Sequence, residues 1–445
     1  MHRCPKIRPC RAPEGVAVAA VLALTLLATG CSGGRAIDQT KDAAAGYNPD
    51  TDVAITWWTG QSADAETLAE KLAAEFHAAH PHITVTTSAG AATTDELLTK
   101  LSAGFTSGTY PDVSYAYGSW AGQLAASGKT QDLTQWVKDP ARAWDEIPAA
   151  ARTTATVDGH VIGVPALVDN LALIYNKKLF DAAHLGYPTD AWSWDDFRTA
   201  AKTLTDRPHN VYGTAYSISA SEDTTWHLWP LLWQRGGEIL SDGKPAFNSA
   251  AGVAALEMLR QIAVDDKSMY LDQTDEKYPE LFNGGRVGMM ISGPWTLYNL
   301  GNAHVNYGVA YLPGFDGNHE TISGPDVWVL FNHSDANRAG ASRAFLQWLT
   351  SKDIDARWNL GNGNLPLRSS EQNTKEFADY CTQYPGARKF FDNLANARRA
   401  RPTVEAYPEV SRYVGQAIAA VLQGAASPKD ALDKAAGQAA TALRG

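Results

Sequence analysis

Three short runs of strand composition, spaced by two stretches of helical periodicity, set the strongest limit on how this chain can fold. Val53-Ala54-Ile55-Thr56-Trp57-Trp58 is rich in β-branched and aromatic residues, which suit a pleated, half-buried surface. Ser62 then offers an N-cap, and Leu68, Leu72 and Phe76 recur at helical spacing until Pro81 stops the helix. Ile83-Thr84-Val85-Thr86 predicts a second strand, Asp95 to Thr106 a second helix, and Pro111 to Tyr115 a third strand. This alternation predicts an α/β fold with a parallel sheet covered by helices, because parallel neighbours need a helix-length crossover. Ligands of such sheets sit beyond the carboxyl ends of the strands. Trp58 to Ser62 and Tyr115 to Trp120 therefore fall at one candidate site. Neighbouring side chains of a strand face opposite sides, so Trp57 is expected in the core if Trp58 faces the site.

A second unit begins after Gly163-Val164-Pro165. Leu171 to Tyr175 reads as a strand, and Trp194-Asp195-Asp196-Phe197 opens a helix that ends near Thr205. Helical spacing recurs over Thr225 to Arg235 and Ala250 to Val264. Val287 to Ile291, Tyr307 to Leu312 and Asp326 to Phe331 read as strands, Ala339 to Thr350 as a helix, and Lys375 to Leu443 as a helical tail. No repeat of fixed period is present. A chain of this length suggests two lobes.

The N-terminus bears on location. Arg3, Lys6, Arg8 and Arg11 precede the apolar run Val16 to Ala28, which is too short to span a bilayer comfortably and suits the core of a signal peptide. Ala28-Thr29-Gly30-Cys31 resembles the lipobox of bacterial lipoproteins, departing from it at Ala28, where that box most often has Leu. Residues 1–30 are thus expected to be a signal peptide, Cys31 to carry lipid, and residues 31–50 to form a flexible tether rich in Gly, Ala, Asp and Thr. The expected location is extracytoplasmic, anchored to the cell membrane by lipid on Cys31. Cys4 and Cys10 leave with the signal, so Cys381 has no disulfide partner in the mature chain and a large core must supply the stability. The chain carries a formal charge of −10. Residues 1–30 hold four basic side chains and one acidic, which leaves the mature protein near −13. That sign argues against a nucleic-acid partner.

The segment Asp158-Gly159-His160-Val161-Ile162-Gly163-Val164-Pro165, continued by Leu173-Ile174-Tyr175-Asn176-Lys177-Lys178-Leu179-Phe180, resembles the centre of the family 1 extracellular solute-binding proteins. Trp194 to Phe197, Phe282 to Met289, Ser292-Gly293-Pro294-Trp295, Val305 to Pro313 and Asn364-Leu365-Pro366-Leu367-Arg368 match further stretches in the family's order. Each is weak alone; the ordered set is specific. The resemblance implies a two-lobed periplasmic-binding-protein-like fold, with mixed sheets covered by helices and a ligand cleft between lobes that close by hinge bending. It implies crossings near Val168, Val309 and Thr350, giving an N-terminal lobe of 51–168 and 309–350 and a C-terminal lobe of 169–308 and 351–445. It also implies a monomer, without cofactor or metal, that captures a sugar or short oligosaccharide and passes it to the permease subunits of an ABC importer. A glycerophosphodiester or a sugar alcohol is the alternative ligand, and a secreted carbohydrate-active enzyme the distant one.

A sugar site needs aromatic platforms for the apolar ring face and carboxylates, amides or Arg for the hydroxyls. The chain holds 14 Trp, most of which a large core would use. Trp295, after Gly293-Pro294 at a strand end, is the foremost platform candidate: Gly would let a ligand approach closely and Pro would fix the turn. The resemblance gives the same role to Trp295 and to Trp226. Trp226, Trp229 and Trp233 share one helical stripe, so at least two are expected in the core. Asp169, at an implied crossing, is the favoured carboxylate, able to accept from two vicinal hydroxyls; an ordinary loop Asp capping the next strand is the plainer reading. Asn170, Ser119, Trp120, Trp58, Gln61, Asp326 and Arg368 complete the candidate set. Arg368 suits a surface ion pair equally well.

Catalytic patterns are weak. In Gly118-Ser119-Trp120-Ala121-Gly122 the Ser is misplaced for a nucleophile elbow, and Ser241-Asp242-Gly243-Lys244 reads as a turn. Asp195 and Asp196 sit at a helix start, where acids suit the dipole. His77, His80 and His82 have loose spacing for a metal, interrupted by Pro81.

Overall fold

The computed structural model describes residues 42–444 apart from Ser62 and Thr93. The signal segment, Cys31, most of the tether and the expected cap Ser62 lie outside the described residues.

Ten strands carry the architecture: β1 (Val53–Trp58), β2 (Ile83–Ser88), β3 (Val113–Tyr117), β4 (Gly163–Leu167), β5 (Ala172–Asn176), β6 (Tyr212–Ser217), β7 (Met269–Asp272), β8 (Val287–Ser292), β9 (Tyr307–Ala310) and β10 (Asp326–Leu330). One mixed sheet has the order β2-β1-β3-β10-β4 and the other β7-β6-β8-β5-β9. β1 pairs in parallel with β2 and β3, while β10 runs antiparallel to both β3 and β4. In the second sheet β6, β7 and β8 are parallel, and β5 is antiparallel to β8 and β9.

β1 shows why these residues form a strand here. Val53, Ile55 and Trp57 are buried while Ala54 is exposed and Thr56 and Trp58 are half-buried, so one face goes inward. Trp57 is fully buried and meets the rings of Trp328, Phe345 and Trp358 at 5.5, 5.2 and 5.1 Å. The helix Ala63–Ala79 buries Ala69, Leu72 and Phe76 against the same core. Ser193 caps the helix Trp194–Leu204 with a reciprocal bond to Asp196, which satisfies otherwise orphaned amides.

Several expectations shift. β4, β6 and β7 were not expected. The single helix over Thr225 to Arg235 is two, Glu222–Trp226 and Trp229–Gln234, with Pro230 in the first turn of the second; proline is tolerated there because that amide lacks a helical partner anyway. The tail is helical over Lys375–Gln383, Ala387–Asp392, Tyr407–Leu422 and Pro428–Ala442, but residues 397–399 pair as a strand with Thr321–Ile322. The crossing expected near Val309 falls inside β9, which is paired along its length with β5, and the chain joins the first sheet only at Asp326. The helix Lys352–Gly361 packs on the first sheet through Trp358.

The tether also ends earlier than expected. Asp42 accepts from Arg343 at 2.6 Å, the Asn48 amide donates to Asn337 at 2.9 Å, and the Tyr47 ring lies over Gly340. Residues 42–50 are thus docked on the helix Ala336–Leu349.

Candidate functional site

The carboxyl ends of β1, β3 and β4 and the start of β10 lie along one edge of the first sheet. Register fixes their neighbours: Asp326 stands opposite Tyr117 on one side and Leu167 on the other. Asp169 follows two residues beyond β4, where its carbonyl accepts from the Gly324 amide at 3.0 Å. A Cβ on Gly324 would lie 1.7 Å from Asp169 Oδ1 and 2.4 Å from the Trp226 ring. Glycine is what allows backbone, carboxylate and indole to meet there.

A cavity of about 440 Å³ opens at this edge. Gln61, Tyr115, Tyr117, Asp169 and Asp326 line it from the first sheet, and Trp295 and Asn299 from beyond β8 of the second. Asn362 and Asn364, after the helix Lys352–Gly361, close one side. A second chamber of about 340 Å³ shares Thr94, Tyr117, Trp295 and Asn299 and adds Asp223, Asp275 and Glu276. Trp295 is half-buried. A Cβ on Gly293 would come within 2.0 Å of the Trp295 ring. Gly293 therefore makes room for the indole itself, a role different from the expected one of admitting a ligand.

Electrostatics centre on Arg401. Its guanidinium lies 3.3 Å from Asp326 and 3.4 Å from Glu222, with the Trp226 ring 4.4 Å away. Asp326 also accepts from Tyr115 Oη at 2.5 Å and the Gly118 amide at 3.2 Å. Glu222 accepts from Tyr407 at 3.0 Å and Ser411 at 2.5 Å. Asp169 Oδ1 is buried without a hydrogen-bond partner. Burial and the nearby Asp326 push the Asp169 carboxyl well above the usual range, against the pull of Arg401. Burial raises Asp326 too, although Arg401 and Tyr115 oppose it. In the second chamber burial pushes Asp223 up to about 6, with His227 pulling the other way. Raised carboxyls clustered in a cleft mark a candidate functional site.

Over residues 71–385 the sequence matches the bacterial extracellular solute-binding protein family. The chain belongs to that family. The cyclic α-maltosyl-1,6-maltose binding protein of Arthrobacter globiformis shares 27% identity and superposes with a TM-score of 0.75, covering 88% of this chain and 99% of its own. An ABC transporter solute-binding protein of Agrobacterium radiobacter K84, solved with ribitol, shares 28% identity at a TM-score of 0.74, covering 88% and 100%. The sn-glycerol-3-phosphate-binding periplasmic protein UgpB of Rhizobium meliloti is 23% identical over 399 residues, 86% of this chain and 91% of that protein. The two sheets are accordingly the lobes of a two-lobed periplasmic-binding-protein-like fold, and the cavity lies in the cleft of an extracellular solute-binding protein.

Of the residues expected in the site, Gln61, Asp169, Trp295 and Asp326 line the cavity. Six do not. Trp58 is half-buried with Lys100 Nζ 4.6 Å over its ring. Trp120 is buried against Tyr117. Ser119 is buried with its hydroxyl unpartnered. Asn170 is a core amide, donating to the Phe390 carbonyl and accepting from Asn393. Trp226 stands behind Gly324 beneath Arg401. Arg368 is buried 3.7 Å from Asp355 and 3.8 Å from Glu371, far from the surface pair that was the other reading. His77, His80 and His82 turn to different partners: the Ile83 carbonyl, the Phe76 ring and Asp52.

Sequence reasoning placed the loop from Tyr115 onward at the site without singling out Tyr115 or Tyr117. The strand alternation held the signal, since both residues share one face of β3. Asn364 opens a matched stretch, and Asn362 lies two residues before it. Arg401 and Glu222 carried no local signal.

Proposed function

We propose that this protein binds a sugar or short oligosaccharide in the cleft and delivers it to the permease subunits of an ABC importer, as a monomeric binder and not a catalyst. The observation that carries this reading is the lining itself. Aromatic rings of Tyr117 and Trp295 flank carboxylates and the amides of Asn299, Asn362 and Asn364, and no Lys, Arg or His is among the described residues lining the cavity. Rings suit the C–H face of a pyranose, and carboxylates and amides suit its hydroxyls. The lining offers the phosphate of a glycerophosphodiester no Arg, Lys or His among the described residues. Catalysis gains no support: a glycosidase needs two free carboxyls flanking a bond, and Asp326 is engaged by Tyr115, Gly118 and Arg401.

Thermal shifts of the full-length protein in detergent, with neutral mono-, di- and oligosaccharides, sugar alcohols and glycerophosphodiesters, test the reading. A saccharide at 100 times its Kd should add about 2.7 kcal/mol to stability. Shifts with phosphodiesters alone, or turnover of any saccharide, would overturn it.

The lipid anchor belongs to the same proposal. The apolar run ending at Cys31 supports it, and no helix among the described residues is long and apolar enough to cross a membrane. Cys31→Ala should move the protein from the membrane fraction to the medium or block its processing. Normal processing with full membrane retention would refute the anchor.

A further inference from the structure

The cleft has charges of one sign. Asp169 and Asp326 line the first chamber, and Asp223, Asp275 and Glu276 the second. No Lys, Arg or His is among the described residues lining either chamber. Asp326 and Glu222 hold a single guanidinium, that of Arg401, whose charge also acts on Asp169, and all four side chains are largely buried. Three carboxyls share one cation, so the cluster is short of positive charge whenever Asp169 is ionised.

The shortage falls on one group. Asp326 and Glu222 each hold the Arg401 guanidinium and two further donors: Tyr115 and the Gly118 amide for Asp326, Tyr407 and Ser411 for Glu222. Asp169 is 7% exposed and its carboxyl lines the cavity, while its Oδ1, buried against Gly324 and Trp226, has no partner within the protein. A hydroxyl donating to this carboxylate from the cavity would leave its charge uncompensated in a poorly solvated place. An ammonium group supplies donor and charge together, and a charge-assisted bond is roughly twice as strong as a neutral one. The Trp295 ring beside the same space attracts a cation rather than repels it, whereas the Tyr117 ring already has the Arg401 guanidinium 5.3 Å from its centre. The acids of the adjoining chamber extend the same field, which draws cationic solutes inward.

We propose that the solute is an amino sugar, or a short saccharide bearing an amino group, held with its protonated amine at Asp169. This rests on the saccharide reading above and narrows it. The neutral hydroxyls would then be left to Asn299, Asn362, Asn364 and Gln61.

Matched pairs differing only by a protonated amine in place of a hydroxyl test it: glucosamine against glucose, galactosamine against galactose, and the β-1,4 glucosamine dimer against cellobiose. The N-acetylated dimer serves as an uncharged control. Calorimetry uses the full-length protein in detergent. The tightest binder should be aminated and should exceed both its hydroxyl and acetylated counterparts by at least about tenfold, narrowing as salt is raised. Asp169→Asn should erase that preference while its melting temperature without solute stays level or rises, since it removes an uncompensated buried charge. A neutral sugar as tightest binder, bound no more weakly than its amine, would overturn the charge inference and leave the saccharide reading standing. Persistence of the preference in Asp169→Asn would overturn the assignment to Asp169. Failure of every saccharide, charged or neutral, would overturn both readings.

Discussion

Trp295→Ala and Asp169→Ala should each weaken saccharide binding by at least about tenfold while changing the unfolding midpoint little. Trp295 is half-buried at the mouth of both chambers, so truncation removes a surface that solute would cover. An aromatic stack contributes about 0.5–1.5 kcal/mol beyond its buried area, and the lost area adds more. A hydrogen bond to a charged group is worth about 1.5–3 kcal/mol, and Asp169 has an oxygen with no protein donor to lose. Since about 1.4 kcal/mol is a factor of ten, each change alone should be plain in a titration. Trp57→Ala is the contrasting variant. That ring is fully buried among Trp328, Phe345 and Trp358, and emptying such a site costs about 3–5 kcal/mol of stability. Its folded fraction should bind with nearly unchanged affinity. Normal binding by Trp295→Ala and Asp169→Ala, with impaired binding by folded Trp57→Ala, would move the site to the other face of β1.

The contrast between Trp57 and Trp58 shows what could be read from the sequence. A period of two separates the faces of a strand whatever the rest of the chain does, so the burial of Trp57 was legible. What covers Trp58 was not, because Lys100 comes from a different element. β1, β2, β5 and β8 were legible from β-branched and apolar runs. Tyr212-Gly213-Thr214-Ala215-Tyr216-Ser217 was not, because small residues give a weak strand signal. It is a strand because it lies between two others, β7 and β8. At the site, strand ends pointed to Gln61 and Trp295, and the crossing implied by the resemblance pointed to Asp169. Resemblance alone carried Arg368 into the cleft, whereas its partners Asp355 and Glu371 hold it in the interior. A short matched motif reports that a residue is needed, and its tertiary partners decide what for.

Arg401 is the residue with the largest expected effect that nothing local announced. It lies in Arg398-Arg399-Ala400-Arg401-Pro402, which reads as a solvated basic run. Its partners Asp326 and Glu222 are 75 and 179 residues away in the chain. Burial works against its charge, yet Glu222 and Asp326 outweigh that and raise its pKa. Arg401→Met keeps much of the side-chain volume and removes the charge, leaving two buried carboxylates without their cation. Breaking a buried pair from one side costs about 3–5 kcal/mol. Arg388→Met is the control: that side chain is half-exposed and 3.8 Å from an equally exposed Asp392, a pair worth about 0–1 kcal/mol. The pH dependence has a definite sign. The Asp326 carboxyl is already raised in the folded protein, and without Arg401 it rises further. A carboxyl whose folded pKa exceeds its unfolded value, about 3.9, binds more protons folded than unfolded between those two values. Stability therefore falls as pH rises through that window. The deficit of Arg401→Met should be full at neutral pH and shrink on acidification toward the unfolded value. Adding Asp326→Asn should recover part of it at pH 7 by removing the charge that Arg401 balanced. Guanidinium unfolding across pH measures all three variants. An Arg401→Met protein within about 1 kcal/mol of the unmutated protein at pH 7, or one whose deficit grows on acidification, would show that the cluster does not depend on this cation.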